Sequence, residues 1–196
     1  MRLEGKFALI TGASQGLGFE LARTFALEGA AGIAIVARGI ERLEQARQTL
    51  HRIAPNLKLL TIAADLAQPQ DIERVVATTL NEFNGRLDIL INNASSIGLS
   101  PMPFLLDYPL EAFHQVLNTN LIAPFLLIKK VLPAMIEQGG SIINVTSDAG
   151  VTGYPGWGAY GTSKFGLEGL SSLDRVGNES TSDGGSLTVG WLLMNR

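Results

Sequence analysis

Five short apolar runs, Phe7–Thr11, Ile33–Ala37, Leu57–Ala63, Leu87–Asn92 and Ser141–Thr146, recur along the chain with longer stretches of helical periodicity between them. No other feature constrains the fold as much. The runs are nearly continuous in apolar residues, the pattern of strands buried on both faces. Strand and helix in strict alternation predict an α/β fold: a parallel sheet with right-handed crossovers. The helical stretches are 16–28, 41–53, 70–83, 110–137 and 159–173. Gly29 and Pro55 stand where the first two should stop, and Pro69 lies near the first turn of the third. Pro124 predicts a bend in the long stretch. Residues 174–186 read DRVGNESTSDGGS, polar and without period, so the chain is expected to be poorly ordered from about Gly177. Leu187–Leu193 fits a sixth strand. A length of 196 residues with no visible linker is one domain.

Composition narrows the function. An apolar share of 46% supports a globular core, and a charged share of only 17% fits a sheet covered on both faces. Fifteen Lys+Arg against 18 Asp+Glu leave −3, so no basic excess exists to hold nucleic acid. With no Cys, a disulfide framework, a Cys zinc site and a thiol nucleophile are excluded, and no metal site is expected. The longest apolar run, Leu121 to Ile128, is far short of the ~20 residues of a membrane span. The N-terminus MRLEGKFALITG does not read as a signal peptide. A cytoplasmic protein without a membrane partner is expected.

Directly after the first run stands Thr11-Gly12-Ala13-Ser14-Gln15-Gly16-Leu17-Gly18. Strand, glycines and helix in that order are what a nucleotide-binding loop requires. Gly12 allows a tight turn, Gly16 lets the backbone approach a pyrophosphate, and Gly18 lets helix and strand close together. The helix N-terminus brings free N–H groups and a positive dipole end to the phosphates. The spacing is G-x-x-x-G-x-G, neither G-x-G-x-x-G nor a P-loop. The residue that reads the adenosine ribose is expected ~20 positions further on. Arg38 stands there, after the second run. A carboxylate would bond a 2′-hydroxyl; a guanidinium attracts a 2′-phosphate, so NADP is favoured over NAD. Glu41, close by, opposes this slightly.

Tyr160 and Lys164 are four residues apart in a predicted helix and share a face. An ammonium beside a phenol favours the phenolate, so such a tyrosine can exchange protons with an alcohol or carbonyl. Ser147 ends the fifth run, 13 residues before Tyr160. Ligands of open α/β sheets bind outside those carboxyl ends, where a hydroxyl can bond a substrate oxygen. Asn120 precedes Pro124 by four, so its carbonyl loses its normal helical donor.

These motifs, with Asp65 after the third run and Asn92-Asn93-Ala94 after the fourth, resemble the short-chain dehydrogenase/reductase family over roughly residues 3–172. The resemblance implies a Rossmann-type doubly wound sheet in three αβα layers. It implies Tyr160 as catalytic acid/base, with Lys164 assisting it and bonding the nicotinamide ribose. Ser147 would orient the substrate carbonyl, and Asn120 would hold a relay water through its main chain. Asp65 with Leu66 would meet the adenine, Asn92 would stabilise the sheet, and Asn93 and Ala94 would line the cofactor cleft. Ser14, Gln15 and Leu17 join the glycines there. A homodimer or homotetramer is the family's default, with Leu121, Phe125, Leu126, Ile128, Val131, Leu132 and Met135 on the long helix as candidate interface. Three departures stand out. Ser95 replaces a glycine, the helix of Tyr160 gives way to residues 174–186, and Gly190-Trp191 stands where Pro-Gly is usual. Set against the family pattern, a shortened or altered C-terminus is expected, without the substrate-binding lobe and the last strand. The leading reading is an NADP-dependent oxidoreductase acting on a small carbonyl or secondary alcohol. The alternative is a nucleotide-binding protein without turnover. A flavodoxin-like binding module would explain the glycine loop but not Ser147, Tyr160 and Lys164 together.

Overall fold

The computed structural model describes residues 1–173 and the strand 187–194. Six strands form one sheet: β1 (Phe7–Thr11), β2 (Gly32–Ala37), β3 (Lys58–Ala63), β4 (Ile89–Asn92), β5 (Gly140–Ser147) and β6 (Leu187–Met194). All pairings are parallel, in the order β3-β2-β1-β4-β5-β6. The helices are α1 (Gly16–Leu27), α2 (Ile40–Ile53), α3 (Pro69–Glu82), α4 (Leu110–Leu117), α5 (Ala123–Gln138) and α6 (Gly158–Leu173).

Both faces of the sheet are dry, as the continuous apolar runs require. Ala8, Ile10, Ile33 and Ile35 point one way and join Ala22 and Ala26 of α1 and Leu43, Ala46 and Leu50 of α2. Their neighbours Leu9, Ala34 and Val36 point the other way, into a second core. There they meet Ile72, Val75 and Val76 of α3 and Leu127, Val131 and Met135 of α5. The two-residue alternation of a strand thus divides one apolar run between two cores. After β3 the chain crosses over to place β4 on the far side of β1. That reversal opens a crevice at the carboxyl ends of β1 and β4.

The predicted bend at Pro124 takes a different form. Asn118–Ile122 is a single π turn between α4 and α5, in which Ala123 N–H donates to Asn118 O. Proline's missing N–H disrupts the ladder one turn earlier, and the extra residue is absorbed without breaking the helix. Residues 110–136 together are long and apolar enough to cross a membrane. Here they are a layer helix, with Ala123, Leu127, Val131 and Met135 buried against the sheet. Of the expected interface residues, Ile128, Val131 and Met135 are therefore core, while Phe125 is exposed. The sixth strand runs one residue further than expected and pairs with the whole of β5, Leu187 with Gly140 through Met194 with Ser147. The expected disorder does not hold at 187–194; its remainder, at residues 177–186 and 195–196, lies outside the described residues.

At the amino ends of β1 and β4, opposite the crevice, Asp88 gathers a cluster. It is 5% exposed and accepts bonds from Phe7 N–H (2.9 Å), Lys6 Nζ (3.1 Å) and both Nε and Nη2 of Arg86 (3.0 Å each). Burial alone would raise the Asp88 pKa, but the bonds from Arg86, Phe7 and Lys6 outweigh it and hold the carboxyl below its ordinary value. A depressed carboxylate contributes stability above its unfolded pKa and loses it as pH falls through the folded value. Asp88→Asn is expected to cost about 1–3 kcal/mol at pH 7 in urea unfolding. The difference from wild type should shrink below pH ~4.

Candidate active site

The glycine loop and the loop after β4 are tied to each other. Thr11 Oγ1 accepts from the N–H groups of Asn93 and Ala94 (3.0 Å each) and donates to Ile91 O (3.2 Å). Asn93 Nδ2 donates to Thr11 O (2.8 Å) and Gly12 O (3.1 Å). The Asn93 amide therefore braces the loop of β1. Gly12 has φ +66°, and a Cβ there would lie 2.8 Å from Ala94 Cα. A Cβ on Gly18 would lie 2.5 Å from Gly12 O and 3.0 Å from Ala13 Cα, so α1 can approach β1 only with glycine at this point. Gly16, at φ +58°, faces open space. No side chain caps α1, which leaves its first N–H groups directed at that opening.

The opening is a cleft of about 590 Å³. Its lining includes Gly12, Ser14, Gln15, Gly16, Arg38, Asp65, Leu66, Asn93 and Ala94, all expected from sequence. Leu17 and Gly18 do not line it. The Leu17 side chain is partly buried against the core beneath α1, and Gly18 closes on Gly12. Arg38 is exposed at the end of β2 and forms no ion pair among the described residues. Arg42, which sequence reasoning missed, lines the same end of the cleft, and its Nη1 donates to Gln15 Oε1 (2.8 Å). The signal was present in the four-residue spacing of Arg38 and Arg42. Asp65 Oδ1 accepts from Ala67 N–H (3.1 Å) and so shapes the turn after β3. A cradle open at Gly16, with uncapped helix N–H groups at one end and two guanidiniums at the other, fits a dinucleotide.

The cleft's described lining stops at Ser96 and Thr119; the residues expected to do chemistry lie further along the carboxyl edge. Ser147, 7% exposed, donates its hydroxyl to Asp148 Oδ1 (2.9 Å) and accepts from Ala149 N–H (3.2 Å). Tyr154 OH donates to the other Asp148 oxygen (2.9 Å). Ser147 must release Asp148 before it can donate to a substrate carbonyl. Asp148 escaped the sequence reading, although it adjoins Ser147. On α6, Lys164 is 3% exposed, its Nζ 5.6 Å from the centre of the Tyr160 ring and donating to Val145 O (2.9 Å). Burial pushes the Lys164 ammonium down to about 8, opposed by the Glu168 carboxylate. Trp157 meets Tyr160 edge to face at 5.5 Å.

Asn120 sits in the π turn and joins three elements. Its Nδ2 donates to Ser96 O (2.8 Å) and Ser163 Oγ (3.0 Å), and its Oδ1 accepts from Ser96 N–H (2.8 Å). The Asn120 side chain thus holds the loop after β4 against the helix of Tyr160. Its main-chain carbonyl faces Pro124, which has no N–H to offer. Asn92 Nδ2 donates to Asn144 Oδ1 (2.8 Å), and Asn144 Nδ2 to Ser171 Oγ (2.9 Å), which links β4, β5 and α6 as the stabilising role of Asn92 implies.

Comparison with known proteins agrees with this geometry. The pattern of the short chain dehydrogenase family matches residues 6–179. An uncharacterized oxidoreductase, YxjF of Bacillus subtilis, is 39% identical over 173 residues, covering 85% of this chain and 62% of that protein. The 2-(R)-hydroxypropyl-CoM dehydrogenase of Xanthobacter autotrophicus is 38% identical over 160 residues, 81% of this chain and 63% of that one. The chain thus spans about three fifths of the length of these curated relatives. Among solved structures, a metagenomic short-chain oxidoreductase in complex with NADP superimposes with TM-score 0.88 at 29% identity, over 100% of this chain and 85% of that one. An NAD+-bound xylitol dehydrogenase does so at 0.81 and 31%, over 90% and 66%. With its six parallel strands, its braced glycine loop and Tyr160 and Lys164 on one helix face, this chain belongs to the short-chain dehydrogenase family.

Proposed function

We propose that the protein is an NADP-dependent oxidoreductase that interconverts a small carbonyl compound and a secondary alcohol. The observation that carries the reading is spatial: the dinucleotide cradle and the Tyr160–Lys164 pair lie along one carboxyl edge of the sheet. When bound, the nicotinamide supplies or takes the hydride. The protein's residues do the rest. Tyr160 delivers or receives the proton at the substrate oxygen. The Lys164 ammonium stabilises the negative charge left on the phenol oxygen as the proton departs. Ser147 holds the substrate oxygen once its hydroxyl turns away from Asp148. The Asn120 side chain keeps α6 and the loop after β4 in register, so that cleft and Tyr160 stay aligned.

Oxidation of NADPH followed by absorbance across a panel of ketones and aldehydes tests the reading, beside NADPH binding measured by calorimetry. Binding with turnover supports it. Binding without turnover on any carbonyl or alcohol gives the nucleotide-binding alternative instead. Absence of binding removes both.

The coenzyme choice rests on Arg38 and Arg42. Arg38→Asp is expected to weaken NADPH by about tenfold or more and to favour NADH, because an attractive guanidinium becomes a repulsive carboxylate at the 2′-phosphate. Unchanged affinities for both coenzymes would refute the assignment. A homo-oligomer, assembled through the exposed Phe125 of α5 and Phe165 of α6, and a cytoplasmic location complete the proposal. Light scattering at micromolar concentration is expected to give a multiple of the 20.9 kDa chain mass.

A further inference from the structure

Tyr160, Lys164 and Glu168 recur every four residues on α6 and so lie on one face of the helix. The first two are accounted for by the proposed chemistry; the third is not. Glu168 Oε1 is buried and has no hydrogen-bond partner among the described residues, and the same holds for Thr146 Oγ1 on β5. Both converge on Gly150. A Cβ on that glycine would lie 2.9 Å from Thr146 Oγ1, 3.1 Å from Glu168 Cγ and 3.1 Å from Lys164 O. Glycine at 150 thus makes room for the Glu168 side-chain stem and the Thr146 hydroxyl beside the Lys164 backbone. Lys164 Nζ binds Val145 O, the residue beside Thr146, and forms no direct ion pair with Glu168 among the described residues. Glu168 itself is only partly buried, but a carboxylate oxygen shut away from water without a donor is costly unless a nearby charge offsets it.

The surroundings leave Glu168 as the carboxylate acting on Lys164. Asp148, in the turn 148–150 packed on α6, is bonded by Ser147 Oγ, Ala149 N–H and Tyr154 OH. Glu111 and His114 of α4 are exposed. The π turn and strands β5 and β6 contain no charged residue.

We infer that Glu168 is a positioning residue, a partly buried counter-charge that keeps Lys164 as an ammonium beside Tyr160 at neutral pH. The inference rests on the reading of Tyr160 and Lys164 as the proton-transfer pair. Burial disfavours the Lys164 charge and the Glu168 carboxylate restores part of it. Without Glu168 a larger share of the chain would hold neutral lysine at pH 7, and the charge that stabilises an emerging phenolate would be lost.

The test is an NMR titration of the full chain labelled with 13Cε-lysine, with Lys164→Gln to identify the resonance. The wild-type midpoint is expected at about 8. In Glu168→Gln it should fall by about one pH unit, with Glu168→Asp between the two. The alkaline limb of NADPH oxidation should move by the same amount as the midpoint. A midpoint unmoved in Glu168→Gln, even with a lower melting temperature, overturns the inference and leaves Glu168 a structural residue. Should Glu168→Gln fail to fold, Glu168→Asp decides by the same criterion. A shifted midpoint in a protein that turns over no substrate sinks the proposed reaction and leaves the electrostatic link standing.

Discussion

Tyr160→Phe is expected to lower turnover by about 10²–10⁴-fold. The affinity for NADPH should stay within about threefold of wild type. The substitution removes one hydroxyl and keeps the ring, so the edge-to-face contact with Trp157 and the packing of α6 persist. The dinucleotide cleft, which ends at Ser96 and Thr119, is not touched. The loss should therefore fall on kcat, as it does when an interaction made only in the transition state is removed. Steady-state kinetics beside calorimetric NADPH binding separate the two quantities. Turnover within tenfold of wild type would exclude Tyr160 as the proton donor. An equal loss of binding would mean that the phenol serves the cofactor rather than the substrate.

Gly18→Ala is expected to have the largest effect on the cradle itself. The new methyl would meet Gly12 O and Ala13 Cα, both backbone, and the Asn93 amide that braces the loop. None of these is the free end of a flexible side chain. The helix must move off the strand, at a cost of about 1–3 kcal/mol by urea unfolding. Its N–H groups then no longer aim at the pyrophosphate, and NADPH affinity should drop by more than tenfold. Gly16→Ala is the informative partner. Gly16 has open space around it and a positive φ of +58°, so alanine there costs about 1 kcal/mol of backbone strain without a clash. Its methyl would nevertheless stand where a phosphate must approach, so binding should fall more than stability does. If the two variants lost stability and affinity in the same proportion, the separate duties assigned to the two glycines would be wrong.

The candidate site was legible where function and backbone conformation make the same demand. Gly12 and Gly16 are needed for positive φ and Gly18 for close approach, and each demand leaves a glycine in the sequence. Tyr160 and Lys164 could be paired from their four-residue spacing, because a helix turns that spacing into adjacency. The residues missed share a different property. Arg42 and Glu168 stand four residues from Arg38 and Lys164, yet their roles, like those of Asp148 and Ser163, depend on where the side chains point, which spacing does not encode. Arg42 matters because its guanidinium reaches Gln15, and Ser163 because it meets Asn120. Asp148 could have been noticed beside Ser147, yet only the geometry reveals that it accepts the Ser147 hydroxyl's hydrogen bond. Leu17, read as a cofactor residue by resemblance, turns its side chain to the core because it follows the loop by half a helical turn.

By itself the sequence determined the class of fold and the edge at which the candidate site lies. Continuous apolar runs can be satisfied only with both faces buried, and helices between parallel strands place all carboxyl ends on one side. Tertiary structure decided what local pattern leaves free. It set the order β3-β2-β1-β4-β5-β6, in which β4 returns past β1 to open the crevice, since pairing partners are chosen by packing between distant segments. It turned the expected bend at Pro124 into the π turn that presents Asn120 to Ser96 and Ser163. It buried Ile128, Val131 and Met135 while leaving Phe125 outside, because an apolar helix has two apolar sides and only its neighbours select which is covered. And it brought Lys164, Glu168 and Thr146 together around Gly150, where the charge on one residue depends on groups that spacing alone does not place there.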